Sequence, residues 1–193
     1  MVDERVESGP PIIPAIDRPE NLLIRLAYRL SQRQFGQVLG VLKVIYARKP
    51  RLALIGGLVA STQARGLSFD PSLRALVQAQ VSRLNGCAFC HDLVLAQAVR
   101  QRIGHERFAH LEGYRTSPVF SERERAALRF AEEATLTRSV TDDTWASVRA
   151  CFSDTEIVEL VWLNAAENYF NLQAAILRIG SDGLLGTHTQ GDR

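Results

Sequence analysis

Two cysteines, Cys87 and Cys90, stand three positions apart in the run Asn85-Gly86-Cys87-Ala88-Phe89-Cys90-His91-Asp92. Asn-Gly is a turn signal, so the pair is expected to open a helix. At a helix head, free amide donors and the positive end of the helix dipole favour a thiolate over a thiol. One turn later, the second thiol lies on the same face within disulfide reach. His91 follows Cys87 by four residues and shares that face. An imidazolium there would favour the Cys87 thiolate, and a neutral ring could take its proton. Cys87, Cys90 and His91 are therefore the candidate catalytic residues, and thiol–disulfide exchange is their chemistry. Asp92 diverges from His91 on a helix and reads as a first-turn acid.

Other readings of the same residues compete with this one. Both cysteines could be buried, inert small hydrophobes. A zinc site needs three or four ligands, and no second CxxC or HxxxH accompanies the pair. Cys87-Ala88-Phe89-Cys90-His91 also spells the attachment string of c-type haem, but that attachment follows export and residues 1–9 lack the form of an export signal. His105 and His110 are five apart, off the helical i,i+4 spacing for a metal pair. No metal and no cofactor is expected. Cys151 reads as a core cysteine. Glu167, Asn168 and Asn171 lie in an apolar helix, where they satisfy buried groups at a helix interface or, as the lesser alternative, line a pocket.

The elements that position these residues are helical. Apolar residues recur at helical spacing over 20–48, with Gly36 and Gly40 as interruptions or close-packing points. Pro50 starts a helix over 51–64, and Asp70-Pro71 has the cap-then-proline form for one over 72–84. The helix opened by the cysteines runs toward 102, and a short one covers 105–113. Ser121-x-x-Glu124 and Ser153-x-x-Glu156 are capping boxes, the second opening a helix over 157–178, and Thr141 or Asp142 caps the helix between them. No period-2 run appears, so the fold class is all-α: a single-domain helical bundle over 20–185, with a proline-rich extended arm over 1–19 and a tail over 186–193.

Composition agrees. The 193 residues are 46% hydrophobic and 23% charged, which excludes a disordered chain. With 23 Lys+Arg against 21 Asp+Glu and no basic block, nothing marks a nucleic-acid partner. No apolar run is long enough for a membrane span, so a cytoplasmic protein is expected. The apolar circumference of the 22–46 region predicts contacts between subunits.

Three blocks together resemble a known family. Val81-Ser82 followed by Asn85-Gly86-Cys87-Ala88-Phe89-Cys90, the run Phe120-Ser121-Glu122-Arg123-Glu124-Arg125-Ala126-Ala127-Leu128, and Asn168-Tyr169-Phe170-Asn171 are similar to the alkylhydroperoxidase-like branch of the carboxymuconolactone decarboxylase family, over residues 36–185. The resemblance implies a helical fold of the alkylhydroperoxidase-like type and homo-oligomers (dimers, trimers or hexamers). It also implies a peroxiredoxin-type activity, in which a hydroperoxide oxidises one thiol to a sulfenic acid, the other closes a disulfide, and an external dithiol or thioredoxin-like reductant resets the pair. In the family the second cysteine, matching Cys90, attacks the peroxide, and the first, matching Cys87, is the more exposed and meets the reductant.

This chain departs from the pattern at two positions. The family's proton relay uses a Glu twelve residues before the first Cys and a His four after the second; here these are Ala75 and Val94. Loss of a general base costs about 10²- to 10⁴-fold in rate. His91, one helical turn from Val94, is the candidate substitute, and its spacing favours Cys87 as the more reactive thiol, which leaves the order of attack open. The leading expectation is a thiol peroxidase or disulfide reductase. The alternative is a catalytically weak oligomeric redox sensor or small-ligand-binding protein. Lactone decarboxylation is a weaker third.

Overall fold

Most helices begin where the sequence supplies a cap. In the computed structural model, which describes residues 9–185, the Asn21 side chain accepts from the amides of Leu23 and Ile24 at 3.0 and 3.3 Å and opens α1 (Leu22–Phe35). Pro50 occupies the first position of α2 (Pro50–Arg65). Asp70 accepts from Ser72 and Leu73 ahead of α3 (Pro71–Leu84). Cys87 is itself the cap of α4 (Ala88–Arg100). Reciprocal Ser121/Glu124 and Ser153/Glu156 boxes open α5 (Glu122–Thr137) and α7 (Asp154–Ile176), and Thr141 caps α6 (Asp142–Cys151) between them. A short 3-10 helix, His105–His110, follows α4. No strand occurs among the described residues, and the class is all-α as expected. The first eight residues of the expected arm and the tail 186–193 lie outside the described residues.

The expected helix over 20–48 is two elements. Gly36 adopts φ 75°, a left-handed cap that only glycine takes without strain, and its amide bonds the Gln32 carbonyl at 3.0 Å. After this break comes a π-helical turn, Leu42–Tyr46. It carries the Tyr46 ring against Gly56 of α2, so closely that a β-carbon on Gly56 would meet the Tyr46 hydroxyl at 2.5 Å. The extended segment before α1 is tied down where it is described: the Ile12 amide bonds the Leu177 carbonyl and the Ile16 amide bonds that of Lys43, each at 3.1 Å.

Helix α3 is the central element and packs against α4, α5 and α7. Its Val77 and Val81 join Phe130, Val148, Leu160 and Leu163 in one buried cluster beneath α5–α7. A second cluster gathers Phe35, Leu39, Val44, Phe89, Ala174 and Ile179 around the two cysteines. Each such Val, Leu, Ile or Phe side chain withdrawn from water contributes about 1.5–3 kcal/mol. Arg123 fastens the start of α5 to the α6–α7 junction: it pairs with Glu156 at 2.6 Å, donates to the Cys151 carbonyl and lies 4.0 Å over the Phe152 ring. Cys151 is half-buried, a free thiol packed at the edge of the first cluster. Among the described residues no helix is long and apolar enough to cross a membrane.

Candidate active site

The site is built at the joint between α3 and α4. Asn85 ends α3, and Gly86, at φ 62°, turns the chain back. The turn is pinned to α7, because the Asn85 amide donates to the side-chain carbonyls of Asn168 and Asn171 at 2.9 and 3.1 Å. It is pinned to α3 as well, since the Cys87 amide donates to the Ser82 carbonyl at 2.9 Å. The capping sulfur of Cys87 accepts from the Cys90 amide at 3.3 Å. Cys87 and Cys90 are joined in a disulfide, with Cα atoms 5.3 Å apart.

Both sulfurs are shielded, but they face different surroundings. Cys87 is 2% exposed and Cys90 5%. Cys90 lines a cavity of about 380 Å³, and Cys87 is not part of that wall. The resemblance implied the opposite ranking, with Cys87 the more exposed. Here Cys87 is covered because the cap position turns it inward, against the cluster that holds Phe35, Leu39 and Val44.

The cavity is apolar over most of its surface, with Leu39, Ile45, Leu93 and Phe170 on its walls, and it lies between α2, α3, α4, α7 and the π-helical turn. Ala75 and Val94 both line it, so a methyl and an isopropyl group stand where the resemblance calls for a carboxylate and an imidazole. Four side chains on the wall can carry charge: Tyr46, Arg74, Cys90 and Glu167. Burial, aided by Tyr169, pushes the Tyr46 phenol up to about 12.

Glu167 is the residue that sequence reasoning placed at a helix interface, with pocket lining as the lesser alternative; it does both. It is 4% exposed. Its Oε2 accepts from the amides of Gln63 and Gln78 at 3.2 and 3.1 Å, and its Oε1 from the Ser82 hydroxyl and the Asn171 amide at 3.0 and 2.8 Å. Burial pushes its pKa up, against the downward pull of these bonds. The signal in the sequence was a Glu and an Asn four apart in an apolar helix, which identifies a buried polar pair but not the cavity beside it.

His91 lies away from that wall. Its amide bonds the Cys87 carbonyl at 2.9 Å. Its ring is half-buried against the Ala79 backbone of α3. Burial lowers its pKa more than that hydrogen bond raises it, so the ring is neutral near pH 7. Nδ1 has no hydrogen-bond partner among the described residues. Asp92 is buried and accepts from the Ser181 hydroxyl at 2.8 Å and the Leu184 amide at 3.0 Å, so it clamps the segment after α7 onto α4 rather than orienting His91.

Comparison with known proteins agrees with this architecture. The model of the carboxymuconolactone decarboxylase family matches residues 56–133, a stretch that contains the cysteine pair. The uncharacterized protein YnjA of Escherichia coli strain K12 is 30% identical over 169 residues, which span 84% of this chain and 88% of YnjA. A solved structure of a protein of unknown function from Agrobacterium tumefaciens, provisionally named antioxidant defence protein AhpD, superposes with a TM-score of 0.67 at 26% identity, covering 72% of this chain and 96% of that one. The debrominase Bmp8, in a cysteine-to-alanine variant bound to 2,3,4-tribromopyrrole, superposes with a TM-score of 0.79 at 16% identity, covering 93% and 98% of the two chains, and shares the fold.

Proposed function

The chain belongs to the carboxymuconolactone decarboxylase family, and on that premise we propose that it is a thiol-dependent peroxidase that reduces hydroperoxides through the Cys87–Cys90 pair. One observation carries the reading: a disulfide at the head of α4 with Cys90 on the wall of a largely apolar cavity. In the reduced protein the Cys90 thiolate attacks the terminal peroxide oxygen. The O–O bond breaks, an alcohol leaves and Cys90 becomes a sulfenic acid. The Cys87 thiolate then displaces water to close the disulfide, and an external dithiol or thioredoxin-like reductant reopens it. The apolar walls suit an organic hydroperoxide better than hydrogen peroxide.

Cys87 and His91 act together in this scheme. The Cys90 amide directed at the Cys87 sulfur favours a thiolate there. A neutral His91 ring, whose buried Nδ1 has no hydrogen-bond partner among the described residues, is the base for the Cys87 proton. His91 thus serves the resolving thiol, while Cys90, facing the cavity, attacks first.

A homo-oligomer in the cytoplasm completes the reading. Leu22, Leu26 and Leu30 of α1 and Leu54, Ile55 and Leu58 of α2 are each at least half exposed. An apolar face of that size suits a second copy of the chain. Turnover of cumene hydroperoxide or tert-butyl hydroperoxide coupled to a dithiol donor tests the activity, with a Cys87→Ser, Cys90→Ser double variant as the baseline.

A second reading is favoured by a separate observation. Ala75 and Val94 leave the wall near Cys90 without the two relay groups, and both sulfurs are shielded. A redox sensor or small-ligand-binding protein with this site would form its disulfide once per peroxide without sustained turnover.

A further inference from the structure

A thiol buried beside an apolar cavity needs a proton acceptor, and the wall of this cavity offers few. Of its other chargeable side chains, Arg74 is already protonated, and Tyr46, pushed up to about 12, keeps its proton at neutral pH. The His91 ring lies outside the wall, against α3. Glu167 is the one remaining chargeable group on the wall able to take a proton.

We propose that Glu167 is the group that takes the proton from Cys90 and returns it to the leaving oxygen. The inference rests on the reading of Cys90 as the attacking thiol. Its support is the way the carboxylate is built in. Gln63 reaches it from α2, Gln78 and Ser82 from α3, and Asn171 from α7, and together they supply four hydrogen bonds. Those donors match the acceptor positions of an ionised carboxylate. Among the described residues no cation pairs with it, so the charge is held by neutral dipoles alone, which leaves it able to be discharged. Ser82 links it to the reacting loop, because the same residue holds Glu167 with its hydroxyl and Cys87 with its carbonyl. When Glu167 takes a proton, the Ser82 hydroxyl can turn from donor to acceptor by bond rotation, and Asn171 already donates to that oxygen at 3.4 Å.

The step balances. The Cys90 thiol gives its proton to Glu167. The thiolate forms an S–O bond with the terminal peroxide oxygen as the O–O bond breaks, sulfur being oxidised by two electrons and the peroxide reduced. The departing alkoxide takes the proton from Glu167 and leaves as an alcohol, and the carboxylate is restored.

The test uses the full-length chain with Cys87→Ser and Cys151→Ser, so that Cys90 is the only thiol. Loss of that thiol is followed from pH 5 to 9 with tert-butyl hydroperoxide in single turnover and, separately, with iodoacetamide. Glu167→Gln is expected to slow the peroxide reaction at pH 7 about 10²-fold and to remove the acidic limb of the profile, leaving only the alkaline rise of a thiol without a base. Adding Ala75→Glu to Glu167→Gln returns a carboxylate from α3 and is expected to recover at least about tenfold. A folded Glu167→Gln protein with an unchanged rate and profile overturns the proposal. If Glu167→Gln does not fold, Glu167→Asp takes its place: a slower rate with the acidic limb kept supports the proposal, and an unchanged rate and profile overturns it. The two reagents separate this inference from the peroxidase reading. A Glu167-dependent limb in alkylation without peroxide reduction removes the peroxidase and keeps the acceptor. Peroxide reduction that Glu167→Gln leaves unaltered does the reverse.

Discussion

Ser82 ties Glu167 to Cys87: its hydroxyl donates to the Glu167 carboxylate at 3.0 Å, and its backbone carbonyl accepts the Cys87 amide at 2.9 Å. One residue of α3 thus sets the position of a buried carboxylate and of the loop that carries the dithiol. Ser82→Ala is expected to leave a buried oxygen short of a donor and to cost about 1–3 kcal/mol in urea unfolding. It is also expected to slow disulfide formation, because the hydroxyl that can reverse its direction is gone. A stopped-flow measurement of disulfide closure checks the second effect in protein shown to be folded.

The order of attack makes opposite predictions for the two single cysteine variants. With Cys87→Ser, a hydroperoxide should leave a sulfenic acid on Cys90 that a dimedone-type reagent traps, seen as one adduct in the peptide mass. With Cys90→Ser, trapping at Cys87 should be at least tenfold lower, since Cys87 lies off the cavity wall. His91→Ala should slow disulfide closure and leave the first oxidation step unchanged.

Stability should depend on acid through Glu133. Burial raises its pKa, but hydrogen bonds from Thr144, from the Thr141 amide and hydroxyl and from Arg129 outweigh it and bring the value from 4.5 to about 2. A depressed carboxylate contributes stability above its unfolded pKa and loses it as pH falls through the folded one, so the loss falls between about 4.5 and 2. Glu167, raised by burial, contributes the opposite slope: its share is fully present below the unfolded value and declines as pH rises through the folded one. Thermal melts of Glu133→Gln should lie below wild type at pH 7 and converge with it near pH 2.

Much of the architecture was legible because it is written in local chemistry. Asp70-Pro71, Ser121-x-x-Glu124 and Ser153-x-x-Glu156 state their own helix starts, and each cap forms as expected. The α3–α4 turn was legible in Asn85-Gly86. The π-helical turn was not, and neither was the approach of its Tyr46 to Gly56, a contact between elements that periodicity does not report. The role of Glu167 was hidden for the same reason: three of its four donors come from α2 and α3, far away in sequence.

Gly56 is the position where the cavity has least tolerance. Gly56→Ala places a methyl within 2.5 Å of the Tyr46 hydroxyl and 3.0 Å of the ring carbon that bears it. The ring must move into the cavity it lines, at a cost of about 1–3 kcal/mol. Urea unfolding gives the cost, and weaker protection of Cys90 by bulky hydroperoxides in competition with iodoacetamide gives the loss of space.

The exposed leucines predict assembly. Leu26 is 50% exposed and Leu58 69%. Leu26→Lys with Leu58→Lys is expected to shift the mass in light scattering from an oligomer to a single chain without loss of helical signal, because neither residue belongs to the buried clusters. A single-chain mass for the unaltered protein at micromolar concentration contradicts the assembly.

The Cys87–Cys90 bond is expected to open and close as hydroperoxide is consumed. The most direct measurement is the mass of the peptide carrying both cysteines, taken from reduced protein, after one equivalent of tert-butyl hydroperoxide, and again after a dithiol. Oxidation is expected to remove two hydrogens, reduction to return them, and further peroxide to repeat the cycle. Two free thiols that survive the peroxide, or a bond that no dithiol reopens, contradict it.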